Sequence, residues 1–424
     1  MHDTAVELTR AFVLHPDLKT SRKRRLAEHA LAEAVALAAA LPGLDVVGSE
    51  IARLAKIQPG TLFGSGKVED LKTRLKDLDV KLVLVDGTVG PVQQRNLEKE
   101  WGVKLLDRTG LILEIFADRA RTREGVLQVE LAALSYQRTR LVRAWTHLER
   151  QRGGFGFVGG PGETQIEQDR RAIDDHVIRL KRQLDGVVKT RALHRAARRK
   201  VPFPLVALVG YTNAGKSTLF NRMTGADVLA KDMLFATLDP TMRGIELPSG
   251  RKIIASDTVG FISDLPPQLV AAFRATLEEV LEADLILHVR DISHPESAEQ
   301  SADVADILGS LGVKPDTPQF EVWNKLDRVD PVSRDALTVQ SQTRPNVFPI
   351  SALTGEGLGA LTDAISQAFD LAKTDTTLTL TFAEGRKHAW LHAEQVISHE
   401  DQTESGWQIT VSWTDRQHQR YNDL

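Results

Sequence analysis

The stretch PLVALVGYTNAGKSTLFNRM, Pro204 to Met223, restricts the fold of this chain more than any other. An apolar run ends in Gly-x-x-x-x-Gly-Lys-Ser, and an amphipathic segment follows at once. A strand must deliver its carboxyl end to a tight, glycine-dependent turn, and a helix must start there with its positive end facing the same point. Such a unit belongs in an open, largely parallel sheet covered by helices on both faces. Gly210 and Gly215 supply the turn, Lys216 a charge for the outer phosphates of a nucleotide, and Ser217 an oxygen for Mg2+. Tyr211, Thr212, Asn213 and Ala214 between them, and Thr218 after them, are expected to line the phosphates.

Further motifs follow in order. RKIIASDTVG ends an apolar strand at Asp257, where a carboxylate can hold Mg2+ through water; Thr258, Val259 and Gly260 come next, with the Gly260 N–H placed to meet the terminal phosphate. QFEVWNKLD ends another strand in Asn324-Lys325-Leu326-Asp327. An aspartate accepting from both the ring N–H and the 2-amino group selects guanine, because adenine has no 2-amino group. VFPISAL then offers Ser351-Ala352-Leu353, whose backbone can receive the guanine O6. Each motif alone is weak; in this order, at strand ends, they identify the nucleotide as GTP.

Between the first two motifs, DMLFATLDPTMRG stands where a mobile switch loop belongs, so Phe235, Ala236, Thr237, Leu238 and Asp239 are expected around the nucleotide. Thr237 is the candidate second Mg2+ ligand, with Thr241 its competitor. Lys216, Thr237 and Gly260 are therefore the expected catalytic residues. Phe261 follows the Asp-x-x-Gly motif, where Ras-like enzymes carry a water-orienting glutamine. A phenyl ring cannot orient water by hydrogen bonding, so slow unassisted hydrolysis is expected. Asn213 resembles the asparagine that coordinates K+ in some cation-stimulated GTPases, or it simply caps the loop; both readings stand.

The 424 residues allow two to four domains. A hydrophobic content of 42%, a charged content of 26% and a net charge of −3 describe an ordinary globular chain and select no partner. With no cysteine, disulfides and thiolate metal sites are excluded. The polar start lacks the pattern of a secretory signal. The most apolar stretch, Leu31 to Leu44, contains Glu33, meets Pro42-Gly43 and is too short to span a bilayer. A cytoplasmic protein, expected to be a monomer with no membrane span, is the reading.

Residues 1–43 read as a helical lead-in whose basic run, Ser21 to Arg25, is a solvated face. Residues 44–124 read as a small α/β subdomain with strands at Val80–Asp86 and Gly102–Asp107. FGSGKVEDL within it mimics a phosphate loop but lacks the earlier glycine and a Ser or Thr after Lys67, so it reads as a loop and helix start. Over 125–200 the apolar positions Leu127, Leu131, Leu134, Leu141, Trp145 and Leu148, then Ile166, Ile173, Val177, Leu180, Leu184 and Val187, keep a heptad-like spacing, interrupted at Arg138. That pattern is an antiparallel helical hairpin, its first arm roughly 35–40 Å long. Residues 201–372 alternate strands and helices as a doubly wound G domain, and 373–424 read as a small α+β appendix.

The hairpin turns at QRGGFGFVGGPGETQ, where six of the ten residues from Gly153 to Gly162 are glycine. No strand precedes this run and no Gly-Lys-Ser follows it, so it is a narrow tip rather than a phosphate loop. Leu131 to Lys200 carries 16 Lys and Arg against 7 Asp and Glu, a net +9 within a chain of net −3. A long basic hairpin with a side-chain-poor tip suits insertion between RNA segments, with phosphate contacts supplying affinity. Arg152, Gly153, Gly154, Phe155, Phe157, Gly160, Arg170, Arg171, Arg195, Arg198 and Arg199 are the candidate RNA contacts.

Together with Asp107 to Tyr136, His147 to Gly154 and Gly160 to Arg171, these motifs closely resemble the HflX family of ribosome-associating GTPases, over about Val46 to Ala368. The resemblance implies an N-terminal subdomain and helical arm that bind the large ribosomal subunit and its rRNA, a GTP and GDP cycle, and subunit splitting or ribosome rescue under stress. The family more often carries an arginine before Gly-Pro-Gly-Glu; here Phe157-Val158-Gly159-Gly160 stand there, so the grip of the tip on rRNA is expected to differ. The region from Thr374 on matches weakly. An RNA-remodelling or assembly factor, or a regulatory GTPase with a protein partner, are the competing classes.

Overall fold

The computed structural model of the chain describes residues 8–18, 25–151, 161–198, 203–226, 234–238, 240–265, 277–314, 316–371, 373–394 and 396–422. The first sheet consists of β1 (Thr9–Leu18), β2 (Leu44–Leu54), β3 (Leu82–Val85) and β4 (Lys104–Asp107), all parallel, in the order β2-β1-β3-β4. Helices α1 (Ala27–Ala40), α2 (Ser65–Asp77), α3 (Pro91–Trp101) and α4 (Arg108–Arg119) cross between and follow its strands.

One expectation is corrected here. The lead-in is not helical throughout, because β1 is an interior strand of the first sheet. Its Ala11-Phe12-Val13-Leu14 run is fully buried. A short, continuous apolar run carries no period that separates strand from helix, and the Ala-rich α1 beside it sets the local composition. The basic run also differs at its end: Arg25 is largely buried and pairs with Glu33 at 3.1 Å and Glu296 at 3.0 Å. Ser21 to Arg24 lie outside the described residues.

Helices α5 (Arg123–Gln151) and α6 (Pro161–Arg198) form the hairpin. Along α6, the apolar residues Ile173, Val177, Leu180, Leu184 and Val187 are buried or half-buried in a four-three repeat, with Asp174 and His176 half-buried beside them. Arg138, which interrupts the apolar seam of α5, meets Asp174 of α6 at 3.0 Å. At the base of the arm, Asp107 caps α4 through Gly110 N at 2.8 Å and also accepts from the Tyr136 hydroxyl at 2.6 Å and Arg140 at 3.1 Å. One buried carboxylate thus ties the first sheet, α4 and the hairpin together.

The second sheet has the order β10-β9-β8-β5-β7-β6, built from β5 (Leu205–Gly210), β6 (Thr241–Glu246), β7 (Lys252–Asp257), β8 (Leu285–Asp291), β9 (Gln319–Asn324) and β10 (Val347–Pro349). Only β6 runs antiparallel to its neighbour. The chain leaves β5 into α7 (Lys216–Thr224) between β7 and β8, where the order of the sheet reverses direction. A third, antiparallel sheet orders β11 (Lys373–Thr381), β13 (Gly406–Thr414) and β12 (Ile397–Thr403). The first two sheets share one core: Leu37, Ile112 and Phe116 pack in the same cluster as Tyr211, Phe235 and Phe261.

Candidate nucleotide site

The turn after β5 is held open by backbone that only glycine can supply. Gly210 has φ 150°, and a Cβ there would stand 2.1 Å from Val289 O. Gly215 has φ 93°, and a Cβ there would meet the Asn324 amide at 2.2 Å. With no side chain at either position, the loop lies close against Val289 of β8 and Asn324 of β9. Gly260 approaches from β7 so closely that a Cβ would lie 2.8 Å from Thr212 Cα.

Lys216 begins α7 and is buried, its ammonium donating to Gly210 O at 3.2 Å and Tyr211 O at 2.9 Å. Burial pulls its pKa down to about 8; nearby Asp257 opposes that shift and Lys325 adds to it. The lysine is therefore a buried charge held folded against the loop, its ammonium satisfied by two backbone oxygens.

Ser217, Thr237 and Asp257 converge. The Ser217 and Thr237 hydroxyls donate to Asp257 Oδ2 at 2.7 and 2.8 Å and lie 2.8 Å from one another. Burial raises the Asp257 pKa, and its other oxygen, Oδ1, is buried without a hydrogen-bond partner. Two hydroxyls and a half-satisfied buried carboxylate are the donor set a hard divalent cation takes, so these residues fit Mg2+. The competitor Thr241 sits in β6 opposite Asp257, at the sheet edge. A pocket lined by Thr212, Asn213, Gly215, Lys216, Ser217, Thr218, Phe235, Ala236, Thr237, Thr258 and Gly260 surrounds this point. Asp239 lies outside the described residues.

At the end of β9, Asn324 binds two loops at once, donating to Ala214 O at 2.8 Å and accepting from Ala352 N at 2.9 Å. Lys325 takes φ 67° and pairs with Asp291 at 2.8 Å. The Ser351 hydroxyl donates to the Asp327 carboxylate, which leaves that carboxylate fixed in direction. Leu326 is buried under the loop, and Leu353 is exposed.

Phe261 points away from the pocket. Its backbone brackets the loop, accepting from Thr212 N at 2.6 Å and donating to Gly210 O at 3.1 Å, while its ring is buried in the shared core. Lys67 of the mimic motif is pinned by Glu50 and by Asp70 at 2.8 Å, with α2 starting at Ser65, so no phosphate cradle forms there. Of the candidate RNA contacts, Arg152 to Gly160 and Arg199 lie outside the described residues. Arg170 and Arg171 are exposed on α6, and Arg195 and Arg198 lie near its end.

A second set of residues around the loop was missed by sequence reasoning. Glu33 of α1 accepts from the Tyr211 hydroxyl, from Arg108 at 2.7 Å and from Arg25 at 3.1 Å. Tyr211 in turn meets Ser263 Oγ at 2.7 Å and accepts from Ser263 N at 2.8 Å. Burial beside Glu33 drives the Tyr211 pKa well up, so the phenol stays a donor. Arg108 donates to Ser263 O at 2.8 Å and to Asp86 at 2.6 Å. Nearby, Phe116 of α4 meets Phe235 of the switch segment edge-on, ring centres 4.7 Å apart at 78°. The available signal was Glu33 itself, an acid inside an apolar stretch.

Family models match along most of the chain: a GTP-binding GTPase N-terminal region over 28–117, a GTP-binding GTPase middle region over 119–198, a 50S ribosome-binding GTPase over 205–325 and an HflX C-terminal domain over 336–422. The last extends the resemblance into the region whose motifs matched weakly. The curated GTPase HflX of Magnetococcus marinus is 52% identical over 355 residues, covering 84% of this chain and 81% of that protein. That of Escherichia coli is 44% identical over 352 residues, covering 82% and 81%. Among solved structures, a GTP-binding protein of Sulfolobus solfataricus in complex with GDP is 25% identical, covers 85% of this chain and 98% of its own, and superposes with a TM-score of 0.46.

Proposed function

The chain belongs to the HflX family of GTPases and is a GTP-hydrolysing enzyme, and on that premise we propose that it associates with the large ribosomal subunit and rRNA through its N-terminal sheet and helical arm. GTP and Mg2+ order the switch segment, and the ordered form grips the ribosome. Subunit splitting or rescue follows from that grip, and hydrolysis to GDP releases the protein. The observation that carries the reading is the continuity between arm and nucleotide site. Asp107 joins the hairpin to α4, and α4 presses Phe116 on Phe235. A change in the switch therefore has a packed route to the arm.

Lys216, Thr237 and Gly260 do the chemistry's electrostatic work in this reading, and Asn324, Asp327 and the Ser351 loop select guanine. Mg2+, held by Ser217, Thr237 and, through water, Asp257, neutralises charge on the phosphates when bound. With Phe261 turned into the core, the chain presents no water-orienting group at that position. Intrinsic hydrolysis is slow, and the ribosome accelerates it by ordering the switches or supplying a group. Asn213, exposed at the pocket mouth with φ 59°, is either a K+ ligand or a cap of the loop; hydrolysis rates in K+ against Na+ separate the two.

The deciding experiment is co-sedimentation with ribosomal subunits in a GTP analogue against GDP, using wild type and a variant lacking Gly153 to Gly162. Binding to the large subunit that requires the analogue and weakens without the tip supports the reading, and gradient analysis of whole ribosomes then reports splitting. Equal binding in both nucleotides, indifferent to the tip, overturns it.

A further inference from the structure

The C-terminal domain carries a cluster that the nucleotide cycle does not use. Among the described residues, His388, His392 and Glu400 are the group of histidine and carboxylate side chains whose ligand atoms converge within 4.8 Å of one another. His388 and His392 stand one turn apart on the helix Gly385–Ala393, and Leu391 between them is buried against the third sheet. That packing turns both imidazoles along one side of the helix. Glu400 lies on β12 opposite Ile409 of β13, two residues along from Trp407, so it projects on the face that the helix covers. The His388 ring stacks on Trp407, centres 4.1 Å apart at 15°, which fixes its orientation before any ligand arrives.

The three ligand-bearing groups stand within hydrogen-bond distance of one another. His388 Nε2 lies 2.7 Å from Glu400 Oε1, His392 Nε2 lies 3.1 Å from Glu400 Oε2, and the two Nε2 atoms are 3.1 Å apart. Hydrogen bonding alone satisfies this triangle poorly. If both imidazoles donate to the carboxylate, two N–H groups face each other; if one accepts from the other, it gives up its bond to Glu400. A cation in place of the protons satisfies all three groups. Tetrahedral zinc with ligands at 2.0–2.2 Å places neighbouring ligand atoms about 3.3–3.6 Å apart, so the two 3.1 Å distances need to open only slightly and the 2.7 Å one by more than half an ångström.

We infer that His388, His392 and Glu400 form a binding site for a divalent transition ion of the zinc class, with a fourth position open to water. Imidazole and carboxylate ligands in this number favour zinc over magnesium, and a chain without cysteine offers no thiolate to compete for it. The site is separate from the nucleotide pocket and rests on none of its residues.

The test is zinc titration by calorimetry on the full-length, tag-free protein, saturated beforehand with GDP and excess Mg2+. The expected result is one zinc per chain, undisturbed by Mg2+, with Co2+ substitution giving the visible absorption of a low-coordinate site. His392→Ala, at a half-exposed position, and Glu400→Gln, which keeps size and shape, are each expected to weaken binding at least about tenfold. Retained GDP binding and an unchanged circular dichroism spectrum show that these variants fold. His399→Ala, exposed and outside the triangle, is the control and is expected to bind as wild type. Absence of stoichiometric zinc binding overturns the inference, as does binding that His392→Ala and Glu400→Gln leave intact or that His399→Ala weakens equally.

Discussion

Tyr211, the first residue after the opening glycine of the phosphate loop, donates its hydroxyl hydrogen to Glu33, which lies 178 residues earlier on the first helix. The loop is therefore braced from outside the G domain, and Glu33 is itself held by Arg25 and Arg108 in a site largely closed to water. The two partners are not equivalent. Tyr211→Phe removes one donor and leaves Glu33 with two guanidinium groups, a loss of about 1–2 kcal/mol. Glu33→Ala takes one of two carboxylate partners from each of two largely buried guanidinium groups, leaving Arg25 with Glu296 and Arg108 with Asp86, and costs about 3 kcal/mol. Urea unfolding of both variants checks the ranking, and equal losses, or a larger loss for Tyr211→Phe, would overturn it.

The edge-to-face contact between Phe116 and Phe235 packs α4 against the segment that the proposed function reads as the switch. Phe116 is fully buried, so Phe116→Ala is expected to cost about 3–5 kcal/mol. A purely structural role ends there. Coupling demands more: faster release of a fluorescent GDP analogue from Phe116→Ala, with Phe116→Leu intermediate in both stability and release. Release unchanged in a variant that has lost stability would separate α4 from the switch.

The strands that end in the nucleotide motifs were legible because a glycine or acid at a strand end has few other reasons to be there. The hairpin was legible because its period extends over many turns, and the exposure of α6 repeats it from Ile173 to Val187. β1 was not, since a four-residue apolar run has no period and its partners, β2 and β3, lie far along the chain. The Glu33–Tyr211–Arg108 network was equally hidden. Pairings between residues so distant leave no local pattern, only an odd acid in an apolar window. The His388–His392 spacing is visible along the helix, but Glu400 joins them only through sheet register.

In the proposed reading base selection rests on Asp327, whose carboxylate accepts from the Ser351 hydroxyl. Asp327→Asn replaces one acceptor with a donor facing the guanine N–H groups. GTP affinity is expected to fall at least about 100-fold, and a base carrying an acceptor at that edge, as in xanthosine triphosphate, is expected to bind better than GTP. Competition against a fluorescent GDP analogue measures both. Retained preference for GTP would place recognition elsewhere.

Lys216 makes nucleotide affinity and apo stability respond to alkaline pH in opposite directions. Its pKa in the folded protein is lowered by burial to about 8, against 10.5 for an ordinary lysine. The phosphate contact proposed for Lys216 needs the ammonium, so the affinity of the protein for GTP is expected to hold below pH 8 and then fall, by up to about tenfold per unit. Stability behaves otherwise. Between about 8 and 10.5 the unfolded chain holds the proton that the folded chain has released, so the contribution of this lysine to apo stability rises with pH across that window. Lys216→Met removes the titrating group and is expected to flatten both trends while weakening GTP binding at every pH. Titrations and urea unfolding from pH 7 to 10 on the two proteins measure the slopes. If affinity and stability fell together in wild type, or if the methionine variant kept the same slopes, the titrating group would have to be something other than Lys216.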